Sequence, residues 1–147
     1  MEEFINNINI NKNKKSNYDN QILIIKKRTN IDISNYKHID DVFNTNLRHK
    51  ELAMVGDSYL SLINNHIFYI KNNSTKEMDN FRQTKLTNSY LSKVCRNIFE
   101  QDLYNIVSRQ SELISDKMAA TFIEALIGAM YINNEPNIKE FIMNIFN

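Results

Sequence analysis

The strongest constraint on the fold is an apolar segment with one carboxylate near its middle, residues 116–133, which read DKMAATFIEALIGAMYIN. Its apolar side chains recur at steps of three and four residues, which predicts a helix with an apolar face. Ser115 or Asp116 can cap its start, and the polar run that ends at Pro136 predicts its end. A charge is costly to bury without a partner or a bound ion. Glu124 therefore either faces water or belongs to a site.

A second long apolar stripe predicts a helix over residues 48–70. Asp57 interrupts the stripe and directly follows Gly56, while Gly128 lies one turn after Glu124 in the other helix. A glycine inside a helix costs about 1 kcal/mol relative to alanine, so we interpret both glycines as packing positions. The two patterns together predict that these helices cross closely and bring Asp57 and Glu124 together.

The rest of the chain predicts one small helical domain. Residues 1–20, rich in Asn and Lys, are expected to form a flexible arm, and residues 21–147 a single domain. The run 21–25 is too short for its pattern to distinguish helix from strand. Weaker helical patterns occur at residues 35–46, 77–85, 88–99 and after Pro136. No ladder of strands is visible, and the predicted fold class is all-α.

Composition excludes several classes of protein. No apolar run reaches the ~18 residues of a membrane span, and the start MEEFINN has the plan of neither a secretion signal nor a transit peptide. Cys95 is the single cysteine, so we expect an intracellular, reducing compartment, either cytoplasm or organelle. The net charge of +1 provides no global basic field. A local basic group either contacts phosphates or forms a solvated tail. Its members are Lys12, Lys14, Lys15, Lys26, Lys27 and Arg28.

Two motifs in the long helices resemble the ribonuclease III family. The family signature has the form E-R-L-E-F-L-G-D-[AS]-x-L, and residues 50–60 read KELAMVGDSYL. The later family motif K-x-L-A-D-x-F-E-A-L-I-G-A-x-Y-L is similar to KMAATFIEALIGAMYI at residues 117–132. The intervening FRQTKLTNSYLSKVC resembles the family segment R-x-x-L-V-N-N-x-x-L-A. The resemblance extends over residues 34–146, and no double-stranded-RNA-binding domain is expected.

The resemblance implies an all-α endonuclease domain that dimerises through the signature helix. Active members gather carboxylates around Mg²⁺ or Mn²⁺ and cleave double-stranded RNA; Mg²⁺ prefers oxygen ligands and can activate water. Asp57 and Glu124 match two metal-binding positions of the family. Ala53 and Thr121 stand where the family carries Glu and Asp, and Glu77 lies where some members have a further acidic residue.

The incomplete set of carboxylates favours a pseudoenzyme. It would bind structured or double-stranded RNA, or serve as a dimerisation partner in a homodimer or in a heterodimer with another ribonuclease III-like subunit. The remaining carboxylates would then pair with Lys50 and Lys117 or hold Mg²⁺ or Mn²⁺ weakly. The alternative is an active, divergent Mg²⁺-dependent endoribonuclease of RNA processing, whose site is completed by Thr121 with a water or by Glu77. A helical protein of unrelated function is the third interpretation.

Overall fold

The computed structural model describes residues 17–107 and 113–146, which form helices and no β-strand. The elements are α1 (Asp19–Thr29), α2 (Ile39–Phe43), α3 (His49–Ile70), α4 (Thr75–Lys85), α5 (Asn88–Phe99), a 3₁₀ turn (Glu100–Asp102), α6 (Leu103–Val107), α7 (Asp116–Ile132) and α8 (Ile138–Ile145). This architecture confirms the all-α prediction. Within the described ranges, no helix has both the length and the apolar character that a membrane crossing requires.

Polar residues at the helix starts explain several of these boundaries. The hydroxyl of Ser115 accepts a hydrogen bond from the backbone N–H of Met118 at 3.1 Å, so α7 begins where the sequence predicts. The hydroxyl of Thr87 accepts one from the N–H of Tyr90 at 3.2 Å and fixes the start of α5. α1 ends at Asn30, whose left-handed backbone suits a helix C-terminus.

The structure agrees only in part with the predictions for the N-terminal third of the chain. The ambiguous run 21–25 lies inside α1, and the helix expected within residues 35–46 is limited to α2 because His38 takes a left-handed backbone with φ of 66° just before it. Residues 1–16 of the expected arm lie outside the described residues, whereas Asp19 and Asn20 begin α1.

Helix α7 occupies the centre of the fold and packs chiefly against α3 and α5. Nearly every residue of α7 from Ala119 to Met130 is buried, as expected for a helix that is apolar almost all round. Cys95, on the packed face of α5, is also fully buried, and burial raises the pKa of its thiol to about 12. The thiol is therefore part of the core.

The crossing of α3 and α7 depends on two glycines. A Cβ atom built on Gly56 would overlap the backbone carbonyl oxygen of Glu124, and one built on Gly128 would overlap that of Leu52. Only residues without a side chain allow two backbones to approach so closely. The close crossing predicted from the two glycines is confirmed.

The two crossing helices run in the same direction. Lys50 and Lys117, in their first turns, line one cavity, and the rings of Tyr59 and Tyr131, further along, lie 4.9 Å apart between centroids. The first turns therefore lie toward one end of the crossing, and the two tyrosines lie toward the other.

Candidate functional site

The crossing places two carboxylates in one site. Asp57 is exposed, Glu124 is half-buried, and their carboxyl groups lie close enough to interact. Burial, and next the negative charge of Asp57, raise the pKa of Glu124 to about 7. Two carboxylates in contact resist simultaneous ionisation. The prediction that the crossing brings Asp57 and Glu124 together is confirmed.

The two neighbouring ligand positions of the family contribute no charge. Ala53 is only 6% exposed and lies among the core residues of α3. Thr121, one turn before Glu124, donates its hydroxyl proton to the backbone carbonyl of Lys117 at 2.7 Å. Its oxygen can still accept a hydrogen bond or approach a cation. The site therefore has two carboxylates where the resemblance implies four.

In the described residues, Asp57 and Glu124 do not form ion pairs with Lys50 or Lys117. Within residues 17–107 and 113–146, the ion pairs include neither Lys50 nor Lys117. Each lysine lies seven residues, about two helical turns, before the carboxylate on its own helix. Both line a cavity beside Thr121 instead.

Glu77 has a structural role at the start of α4. Its carboxylate accepts hydrogen bonds from the backbone N–H and the hydroxyl of Ser74, both at 3.1 Å, and from the amide of Asn73 at 2.7 Å. The hydroxyl of Ser74 in turn accepts from the backbone N–H of Glu77, which completes a capping box. The backbone N–H of Ser74 is the largest cause of the lowered pKa of this carboxyl. The family resemblance offers Glu77 only as a possible further metal ligand, and that role stays a prediction.

Residues of α4 other than Glu77 lie near Asp57. Asp79, Arg82 and Gln83 line a shallow depression together with Asp57 and Ser61. The sequence prediction did not place them there, although their spacing of three and four residues puts them on one face of a helix. That spacing is the signal that could have identified them.

The residues present do not fit the full metal centre that the family resemblance implies. Among the side chains that the structure describes, no group of three His, Cys, Asp or Glu is placed to hold a metal ion. Mg²⁺ can bind through one or two carboxylates when waters and phosphates supply its other ligands. Asp57 and Glu124 are the two described residues that would hold such an ion, with waters or phosphate oxygens as its other ligands.

The basic group near the N-terminus is partly used within the fold. The Nε and Nη2 atoms of Arg28 donate to Oδ2 of Asp102 at 3.0 and 2.9 Å, which fastens α1 to the 3₁₀ turn. The ammonium of Lys26 donates to the side chain of Asn30 at 3.4 Å. Lys12, Lys14 and Lys15 lie outside the described residues. Arg28 is therefore engaged within the protein.

Helix α3, together with Tyr131 of α7, also presents an apolar surface. Met54, Leu62 and Tyr131 are each more than half exposed and surround a depression floored by Val55 and Tyr59. Exposed apolar side chains grouped in this way are typical of a protein interface. We name Met54, Leu62 and Tyr131 the α3 apolar surface.

Comparison with known proteins adds one finding. The model of the ribonuclease III domain family matches residues 50–135, which include most of α3, all of α7 and both carboxylates. No curated protein and no solved structure gives a match to the chain.

Proposed function

The chain belongs to the ribonuclease III family, and on that premise we propose that it binds structured or double-stranded RNA, or pairs with another ribonuclease III-like subunit, without cleaving RNA. One observation carries the proposal. The crossing of α3 and α7 retains Asp57 and Glu124, while Ala53 and Thr121 occupy the other two ligand positions.

The loss of two carboxylates weakens both tasks that a metal performs in phosphodiester hydrolysis. The ion must be held beside a polyanion, and it must lower the pKa of an attacking water. Each missing carboxylate removes an oxygen ligand and a negative charge from the site. Ala53 is buried, and its methyl group offers no ligand atom in place of the absent carboxylate.

Binding of RNA does not require the metal. Double-stranded RNA is recognised mainly by its shape and by contacts to phosphates and 2′-hydroxyls. Lys50 and Lys117 are exposed without a carboxylate partner in the described chain, and Arg82 lies beside Asp57 in the depression next to α4. These cations support contacts with the phosphates of RNA.

The proposed subunit partner contacts the α3 apolar surface. Members of the family dimerise through this helix, and the exposure of Met54, Leu62 and Tyr131 supports the same arrangement here. The partner is either a second copy of this chain or a related subunit with a complete set of carboxylates. The apolar surface suits both, because it contains no charge that selects one of them.

A second candidate function is a divergent, active endoribonuclease. Asp57 and Glu124 remain in contact, and a strongly raised carboxyl pKa is a common property of functional sites. The oxygen of Thr121, through a water, would then complete the site with Mg²⁺ or Mn²⁺. This candidate requires cleavage that depends on Asp57.

The experiment measures binding and cleavage on the same samples. A fluorescent RNA duplex of about 30 base pairs is titrated with the protein in EDTA, in Mg²⁺ and in Mn²⁺, and each sample is then run on a denaturing gel. We expect similar binding in all three conditions and intact RNA. A DNA duplex of the same sequence is the control for recognition of the 2′-hydroxyl. Absence of RNA binding together with a monomeric protein would refute the proposal.

A restoration experiment tests the assignment of the lost positions. Ala53→Glu combined with Thr121→Asp supplies both missing carboxylates, and Ala53→Gln with Thr121→Asn is the matched neutral control. If only the charged variant gains Mg²⁺-dependent cleavage, the scaffold is intact and only its ligands were lost. If the charged variant folds and gains none, the alignment of these positions with the family motif is wrong. Circular dichroism checks the fold, because Ala53 is buried.

A further inference from the structure

The first turns of α3 and α7 line a cavity of about 280 Å³, and the proposed function uses only its two lysines, for phosphate contacts. Its walls are mostly apolar and include Phe43, Ile106 and Met118, while Lys50 and Lys117 belong to its lining. Among the residues that the structure describes, no Asp or Glu lines it. An apolar cavity with a few cationic groups is suited to a small ligand that has an apolar body and a negative charge.

The electrostatic environment of the cavity is positive. Both lysines are exposed and form no ion pair in the described ranges. α3 and α7 run in the same direction, so the positive ends of both helix dipoles also lie at this cavity. The charge arises mainly from the two lysines and is increased by the helix ends.

A buried histidine adds a fixed polar group to the lining. His49 is almost fully buried, and its Nδ1 atom lies 2.9 Å from the backbone carbonyl oxygen of Asp41. That hydrogen bond places the proton on Nδ1 and holds the orientation of the ring. Among the described residues, the Nε2 atom has no hydrogen-bond partner.

We propose that this cavity binds a nucleoside monophosphate unit, with the base between the apolar walls and the phosphate on Lys50 and Lys117. Bases stack favourably on aromatic and apolar side chains, and ammonium groups form strong hydrogen bonds with phosphate oxygens. The cavity volume is close to the lower end of the range of small-ligand pockets, about 300 Å³. A single nucleotide matches that size, and its charge complements the lysines.

The departures from the family motif explain why the cavity tolerates phosphate. Lys50 stands at the first Glu of the signature, and Thr121 stands at the Asp of the later motif. With both acidic residues present, a phosphate in the cavity would be repelled. Thr121, which replaces a ligand of the metal site, therefore also makes this cavity more suitable for an anion, as Lys50 does.

The nucleotide has two possible sources, a free nucleotide or an unpaired nucleotide within an RNA chain. Their shared chemistry is a base attached to a sugar and a phosphate. The interpretation that the ligand is a nucleotide of an RNA chain rests on the proposed function. The cavity and its positive charge do not depend on the proposed function.

The first experiment uses the unmodified protein. Methionine methyl groups labelled with ¹³C are observed by NMR during titration with adenosine 5′-monophosphate, with adenosine, and with inorganic phosphate. We expect the monophosphate to bind more tightly than either fragment and to shift the signal of Met118, which lines the cavity, while the signal of the exposed Met143 stays in place. Equal affinity for a fragment and the monophosphate, or no shift at Met118, overturns the proposal.

Substitutions test the contacts with the phosphate. We expect Lys50→Gln and Lys117→Gln each to weaken monophosphate binding about fivefold, the loss of one exposed charged contact. Lys139→Gln, an exposed lysine on α8, is the control and should leave affinity unchanged. Thr121→Asp should weaken binding more than about tenfold through repulsion, and Thr121→Val should not. Wild-type affinity in both lysine variants would overturn the proposal.

Two RNA duplexes identify the source and separate the two proposals. One duplex is blunt, and the other carries a single unpaired 5′-phosphorylated adenosine. If the signal of Met118 shifts with the second duplex and not with free monophosphate, the site binds RNA. If it shifts with free monophosphate and with neither duplex, the site binds a free nucleotide. RNA binding without any effect at Met118 from any of these ligands refutes the cavity proposal and leaves the proposed function standing. Monophosphate binding by a monomeric protein that does not bind RNA refutes the proposed function and leaves the cavity proposal standing.

Discussion

Substitution of Gly56 by alanine tests the crossing that positions both carboxylates. The added Cβ atom would overlap the backbone carbonyl oxygen of Glu124. A side chain in that position could rotate away, but a helical carbonyl is fixed by its own hydrogen bond. The two helices must therefore separate locally or shift along each other.

The expected change in the free energy of unfolding of Gly56→Ala is the difference between two opposing effects. Alanine is better than glycine inside a helix by about 1 kcal/mol. Overpacking of a well-packed core costs about 1 to 3 kcal/mol, and overlap with backbone on α7 places Gly56→Ala at the upper end or above. We expect a net destabilisation of at least about 2 kcal/mol, which lowers the melting temperature by about 4 to 8 °C in a chain of this size.

The assay is urea unfolding followed by far-ultraviolet circular dichroism. His66→Ala, which places an alanine at an exposed position of the same helix, is the control and should change stability by about 0.5 kcal/mol or less. Gly128→Ala, which meets the carbonyl of Leu52, should destabilise to a similar extent. A Gly56→Ala variant as stable as the wild type would refute the close crossing.

Three further predictions concern charge, a hydrogen bond and the subunit interface. Because burial raises the folded-state pKa of Glu124 from 4.5 to about 7, its contribution is fully present below pH 4.5 and is lost as the pH rises through 7. Unfolding at a series of pH values should therefore show Glu124→Gln gaining stability relative to wild type over this window. The gain should be about 1 to 2 kcal/mol, since the carboxyl is partly solvated, and a constant difference would contradict the raised pKa. The hydroxyl of Tyr36 donates to Oε1 of Glu135 at 2.6 Å, so Tyr36→Phe should cost about 1 to 2 kcal/mol in urea unfolding, and an unchanged midpoint would argue against this bond. Leu62→Glu, at 62% exposure on the α3 apolar surface, should abolish a dimer in sedimentation, whereas Leu23→Glu, at 65% exposure on α1, should not; equal behaviour of the two variants would locate the interface elsewhere.

The sequence was sufficient to predict the long helices and their close approach. The apolar spacing of α3 and α7 defines their extents, and Gly56 and Gly128 indicate where a helix can approach another backbone. Asp57 and Glu124 could be predicted as a pair because each lies beside one of these glycines. The apolar spacing, the glycine and the carboxylate can each be read from one helix alone. The close approach at Gly56 and Gly128 then connects the two helices.

Features that depend on helix direction and register were not visible in the sequence. Lys50 and Lys117 were candidates to neutralise the carboxylates, but the parallel arrangement puts them about two turns away, at the cavity. Arg28 pairs with Asp102, 74 residues later, although its neighbours suggested a solvated tail. Such long-range pairs follow from packing and leave no periodic pattern.

The role of Glu77 was also not visible in the sequence, because it depends on the turn that precedes α4. The family resemblance offers Glu77 as a possible further ligand, and the structure shows that its carboxylate also caps the start of α4. In the structure Asp79 lines the depression with Asp57.

The most direct test of the depleted site is a single-turnover cleavage measurement. The protein, in excess over a labelled RNA duplex, is incubated with Mn²⁺ or Mg²⁺ beside the Asp57→Asn variant, and products are resolved on a denaturing gel. We predict that the wild type and the variant both leave the duplex intact while it remains bound. Cleavage by the wild type that disappears in Asp57→Asn would contradict this account and establish an active endoribonuclease.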